Sequence, residues 1–119
     1  MVLADTTIWI DHLRHGDRRL VDLLQDGLVA SHPFVVGELS LGSLRHRRET
    51  LHLLRRLPQA VVATDDEVAL LIEGSRLFSR GIGYVDAHLV ASVRLTPEVR
   101  LWTRDRRLHS VANDLSIAF

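Results

Sequence analysis

The 119-residue chain contains no cysteine. That excludes disulfides, thiolate catalysis and sulfur-bound zinc together, so any metal it holds must use oxygen or imidazole ligands, which points toward hard cations. It contains no lysine either: all 15 basic residues are arginine. Arginine's planar fork suits phosphate oxygens, although the bias is more simply a trace of a GC-rich genome. No run approaches the roughly 18 to 20 apolar residues of a membrane span, and the amino terminus lacks the basic, apolar, small-residue order of a signal peptide. The protein is therefore expected in the cytoplasm, with no membrane partner. No internal repeat, linker or low-complexity segment interrupts residues 1–119, which read as a single domain. Net charge is formally zero, from 15 basic and 15 acidic residues, which argues against a generally basic nucleic-acid binder. If four acids are withdrawn into a metal site, however, the 15 arginines face only 11 other acids, and the remainder carries +4.

What is present alternates strand-like and helix-like segments. VLAD is a short apolar run ending in an acid, and TTIWIDHLR repeats apolar residues at helical spacing. HGD breaks that helix; RRLVDLLQDG is a second, ended by glycine. LVAS at 28–31 reads as a strand, and Pro33 suits the first turn of a helix through FVVGELSLG. An arginine-rich helix, RRETLHLLRRL, stops at Pro58. QAVVA is the next strand candidate, TDDE a capped start for the helix VALLIEGSRLFSR, and RGIG its end. YVDAHLVASVRL is an apolar helix carrying one acid, RLWT a strand, RDRRLHSVA a short helix and LSIAF a terminal strand. The pattern predicts an α/β fold with a mainly parallel sheet of about four to five strands flanked by helices. Ligands of such sheets lie beyond the carboxyl ends of the strands. Asp5 closes the first strand and Asp105 follows RLWT by one residue, so both fall at that edge.

Two further acids stand in apolar settings: Glu38 in PFVVGELSLG and Asp86 in YVDAHLVAS. A carboxylate on a mostly apolar helix needs a partner, because burying an unpaired charge costs several kcal/mol or forces protonation. A divalent cation is one such partner; an arginine is another, at comparable odds for either acid alone. Asp5 and Asp105 can likewise be read as simple helix caps. Convergence favours a shared pocket, since two acids at strand ends and two on apolar helices otherwise require four separate accidents. Mg²⁺ and Mn²⁺ favour carboxylate oxygens, and Mg²⁺ retains waters, one of which can become a nucleophile.

The ordered segments DTTIWID at 5–11, GEL at 37–39, GIGYVDAHLVA at 81–91 and TRDRRL at 103–108 resemble the PIN-domain nucleases, specifically the VapC-type toxins of bacterial toxin–antitoxin pairs. The resemblance covers nearly the whole chain. It implies the PIN-domain fold, dependence on Mg²⁺ or Mn²⁺, and endoribonuclease cleavage of RNA, often tRNA or rRNA, to 5′-phosphate and 3′-hydroxyl ends. Asp5, Glu38, Asp86 and Asp105 match the catalytic, metal-holding acids, with Asp5 and Asp86 as principal ligands. Thr6 and Thr103 match hydroxyl positions that orient water or carboxylate behind them. Arg107 stands where the family often has a further acid, which puts a tightly held second metal in doubt. The resemblance also implies an inhibiting VapB-type antitoxin and, through it, operator DNA. An alternative is a chain that acts mainly as a protein-binding module in operator binding and autoregulation.

Other residues invite blander readings. His12 and His15, three apart beside Asp11, suit a solvated helix face better than a zinc site. Trp9 and Trp102 read as core or interface. Arg45, Arg47, Arg48, Arg55 and Arg56 form a basic stretch that fits a solvated helix face as well as RNA backbone. Arg104, Arg106 and Arg107 adjoin Asp105, which makes a phosphate contact more credible there. Helices around Val35 to Leu57 and Val68 to Phe78 carry more apolar surface than a small domain readily covers, so a symmetric homodimer is expected.

Overall fold

A computed structural model describes residues 1–119. Its elements run β1 (Val2–Ala4), α1 (Thr6–His15), α2 (Arg18–Gln25), β2 (Val29–Ala30), α3 (Pro33–Ser40), α4 (Arg47–Arg56), α5 (Asp65–Gly74), α6 (Tyr84–Leu95), β3 (Arg100–Trp102) and α7 (Arg106–Asp114). The strands pair in the order β2-β1-β3. Both ladders are parallel, with Leu3 opposite Ala30 on one side and Leu101 on the other. Helical crossovers separate the strands, as parallel pairing requires.

The two outermost strands expected from sequence shrink to single parallel bridges, Ser31 with Gln59 and Leu101 with Ala118. They extend the three-stranded sheet by one position at each edge. QAVVA leaves the sheet because its next amide goes elsewhere: Val61 N–H donates to Thr96 Oγ1 at 2.9 Å, and Val61 and Val62 are exposed. At the other edge Ser116 takes a left-handed φ of 59°, so only the last residues turn back onto Leu101.

Helix starts follow local chemistry. Thr64 forms a reciprocal capping box with Glu67 ahead of α5, and Pro33 opens α3 behind a His32 side chain that accepts from Phe34 N–H. α5 ends at Gly74 rather than running to Arg80 as its apolar spacing suggests; the chain breaks out of the helix through Arg76, whose φ is 53°. α6 buries every residue from Ala87 to Val93, which makes it the central helix. The core gathers Leu3, Ile8, Trp9, Leu54, Leu89 and Leu101, each at most 1% exposed. Truncating one of these leucines to alanine costs about 2–5 kcal/mol. Because all strands run the same way, the residues after Ala4, Ala30 and Trp102 emerge at one edge, where the site is built.

Candidate active site

Asp5 leaves β1 and caps α1, its Oδ1 accepting from Thr7 N–H at 3.0 Å, Ile8 N–H at 3.3 Å and the Thr7 hydroxyl. Its Oδ2 accepts from the Thr103 hydroxyl. Thr103 Oγ1 in turn accepts from Asp105 N–H, and Thr7 Oγ1 from Arg104 N–H, both at 3.0 Å. Two buried or half-buried threonines thus stitch the end of β1 to the end of β3 and fix the first acid. Burial nevertheless prevails over these hydrogen bonds and pushes the Asp5 carboxyl above its ordinary value.

Asp105 caps α7 by accepting from Leu108 N–H at 2.9 Å. Asp86, in the first turn of α6, accepts from Gly83 N–H at 3.2 Å. Its carboxyl is pushed up by burial and then by repulsion from Asp5, Asp105 and Glu38, partly offset by the Gly83 bond. Glu38, exposed on α3, accepts from the Thr6 hydroxyl at 2.7 Å. Sequence positions 5, 38, 86 and 105 therefore come together at the carboxyl edge of the sheet. None of these four acids is ion-paired with an arginine. Asp5 and Asp105 are helix caps and cluster members at once, so the two readings of them are not exclusive. Three of the acids sit at the amino ends of α1, α6 and α7, where the positive helix termini favour negative charge.

Thr6 donates its hydroxyl to Glu38 and Thr103 donates its hydroxyl to Asp5. Thr7 is the residue that sequence reasoning missed; its signal was the doubled threonine directly after a strand-ending acid. Of the three arginines expected to meet phosphate, Arg104 is engaged elsewhere: its guanidinium pairs with Asp11 at 2.8 Å and with Asp17. Arg106 is exposed. Arg107 lies over the loop leading to Asp86, so close to Gly81 that an added Cβ there would stand 2.7 Å from its Cδ. His12 Nδ1 accepts from Asp17 N–H at 3.1 Å, a local turn contact. Trp9 is buried in the core, and Trp102 packs edge-on against Phe119.

The donor set suits a hard divalent cation: it is all carboxylate, mutually repelling, and lacks a compensating arginine. No three of these acids lie close enough together to form a ready-made metal site.

Residues 2–114 match the PIN domain family. Over 118 residues the chain is 48% identical to Ribonuclease VapC32 of Mycobacterium tuberculosis, in strain CDC 1551 / Oshkosh and in strain ATCC 25618 / H37Rv alike, covering 99% of this chain and 95% of each relative. With a parallel sheet that delivers its acids to one edge, the chain belongs to the PIN domain family and is of the VapC type.

Proposed function

We propose that the chain is a Mg²⁺- or Mn²⁺-dependent endoribonuclease acting as the toxin of a toxin–antitoxin pair, with Asp5, Glu38, Asp86 and Asp105 as its catalytic acids. The observation that carries this reading is the convergence of four carboxylates, none paired with an arginine, at the carboxyl edge of the sheet, where burial and then repulsion from the other three raise the Asp86 carboxyl, a cost that a bound cation would relieve. The 48% identity to a protein named as a ribonuclease supports it.

Asp5 and Asp86 would be the principal holders of the cation, with Glu38 and Asp105 beside them. When bound, a divalent ion supplies Lewis acidity toward the scissile phosphate and lowers the pKa of an attacking water. The protein's own part is positioning. Thr7 and Thr103 fix both oxygens of Asp5, Thr6 fixes Glu38, and the helix amino termini at Asp5, Asp86 and Asp105 favour negative charge there. No side-chain nucleophile and no 2′-hydroxyl attack is needed, so hydrolysis leaves a 5′-phosphate and a 3′-hydroxyl, and selectivity for RNA comes from binding geometry. The RNA substrate is tRNA or rRNA.

The partners that follow are a VapB-type antitoxin, operator DNA reached only through it, and a second copy of the chain. Exposed Leu41, Leu53, Leu70 and Phe78 on or beside α3, α4 and α5 supply apolar surface for a homodimer. The cytoplasm is the compartment in which these partners meet. Incubating the purified chain with total RNA, with and without Mn²⁺, and mapping the ends tests the central claim. Cleavage that requires the ion, stops with EDTA and is absent in Asp86→Asn is expected; cleavage by Asp86→Asn equal to the parent's would overturn it.

A further inference from the structure

A cavity of about 530 Å³ opens beside the acids, between α1 and the segment that joins α3 to α4. This falls within the roughly 300–1,000 Å³ typical of small-ligand sites. Its lining combines the apolar Ile10, Leu13, Leu39 and Leu44 with the polar Arg14, His15, Ser43 and Arg45. Glu38 belongs both to this lining and to the acid cluster, so the cavity is continuous with the catalytic edge. Arg14 and Arg45 are exposed and form no ion pair. That sets them apart from Arg104, whose charge is already neutralised by Asp11 and Asp17.

From this juxtaposition we infer that the cavity is the seat of the nucleotide next to the scissile phosphodiester, in single-stranded RNA, with Arg14 and Arg45 gripping its flanking phosphates. The inference rests on the nuclease reading above and adds to it the direction in which the strand leaves the acids. A base needs an apolar face and a planar edge to stack on; Leu13 and Leu44 offer the first, and the His15 ring or an arginine plane the second. The phosphates need unpaired guanidinium groups, which the lining supplies from α1 and from the α3–α4 segment. A protein segment laid in the same cavity would meet the same two cations and Glu38, and the antitoxin arm of the test below separates that occupant from RNA.

The test uses the full chain carrying Asp86→Asn, so that RNA stays intact, and a short 5′-fluorescein-labelled single-stranded RNA of mixed sequence. Arg14→Gln with Arg45→Gln is expected to weaken binding about tenfold and to reduce the slope of log K against log salt by about 1.4, the loss of two single-strand phosphate contacts. In the cleavage-competent background the same pair raises KM and leaves kcat nearly unchanged, because neither arginine faces the bond that breaks. Arg47→Gln with Arg48→Gln removes the same charge from α4, outside the cavity, and is expected to leave both readouts near the parent's. Equal losses from the two pairs would overturn the inference in favour of general electrostatic attraction. So would unchanged RNA affinity in the Arg14 and Arg45 variant, and if that variant also lost a helical antitoxin segment the cavity would be a protein groove. A parent chain that neither binds nor cleaves RNA would fail at an earlier step, since it removes the nuclease reading itself.

Discussion

Replacing Thr103 with valine keeps the shape of a side chain that is only 6% exposed and deletes one hydroxyl. That hydroxyl serves two partners, donating to Asp5 Oδ2 and accepting from Asp105 N–H. A hydrogen bond to a charged group contributes about 1.5–3 kcal/mol, and a buried amide left without a partner costs about 1–3 kcal/mol. Asp105 is exposed, so water reaches its side of the site and recovers part of the second contribution. A net loss of about 2–4 kcal/mol is therefore expected, roughly 8–15 °C in Tm for a domain of this length. Thr103 is also the foremost of the hydrogen bonds that hold the Asp5 carboxyl down against burial, so its removal raises that pKa further and weakens Mn²⁺ binding. Urea melts read the stability, calorimetric Mn²⁺ titration the affinity, and end-labelled RNA the activity. Thr103→Ser restores all three. A valine variant with parental stability and parental Mn²⁺ affinity would refute the claim that this hydroxyl couples the two strand ends.

Asp86→Asn keeps the bond to Gly83 N–H and removes a charge whose folded-state pKa lies above 3.8. The stabilising contribution of the protonated acid is present below that value and is lost as pH rises through the raised one, so without metal at neutral pH the variant should melt no lower than the parent. Mn²⁺ should raise Tm and release protons in the parent, and do neither in a chain carrying both Asp5→Asn and Asp86→Asn; equal responses would make the acids structural. His32 is fully buried, bonded to Ser92 and Phe34, and its pKa is lowered to about 4 by burial and by His88. Its share of stability is present above about 6.5 and is lost as pH falls toward 4, at most roughly 3 kcal/mol. His32→Gln should flatten acid unfolding across that window, as followed by circular dichroism. Arg104→Gln should lower stability by less than about 1 kcal/mol, because its pairs with Asp11 and Asp17 are partly solvated, and should leave RNA affinity nearly unchanged in a fluorescence titration. Light scattering of the pure chain at micromolar concentration should report a dimer, and a monomer would count against the apolar patch as an interface.

Features set by neighbouring residues were legible in the sequence, and features set by distant partners were not. Pro33, the TDDE start of α5 and the glycine after α2 encode their helix ends locally, and the structure puts them there. QAVVA has the composition of a strand, but whether Val61 pairs with the sheet is decided by Thr96, 35 residues away. The apolar spacing of α5 continues past Gly74 because Leu77 is buried; burial alone does not reveal that the backbone has already left the helix. Arg104 looked free beside Asp105, yet its charge is neutralised by Asp11 and Asp17, 93 and 87 residues earlier. Arg14 and Arg45, like several other arginines, have no ion-pair partner, and what distinguishes them, a shared cavity, joins segments about 30 residues apart and so could not be read from their neighbours.

The acids were legible for a physical reason that the structure sharpens. Glu38 and Asp86 stood out because apolar surroundings make a charge expensive; the folded chain shows that expense in the raised Asp5 and Asp86 carboxyls, whereas Glu38 is exposed on its helix. Each favourable helix terminus offsets about 0.3–1 kcal/mol of it, and the threonine and amide donors around Asp5 offset more. The offsets are incomplete, since both pKa values remain above the ordinary one despite every donor present. A cluster assembled only for stability would close that gap with an arginine, of which the chain has 15; Arg104 lies within one residue of Asp105 and turns instead to α1 and the start of α2. The residual penalty, burial at Asp5 and burial with repulsion at Asp86, is one that the cation of the proposed nuclease would relieve and that a fixed guanidinium would relieve only by blocking the site.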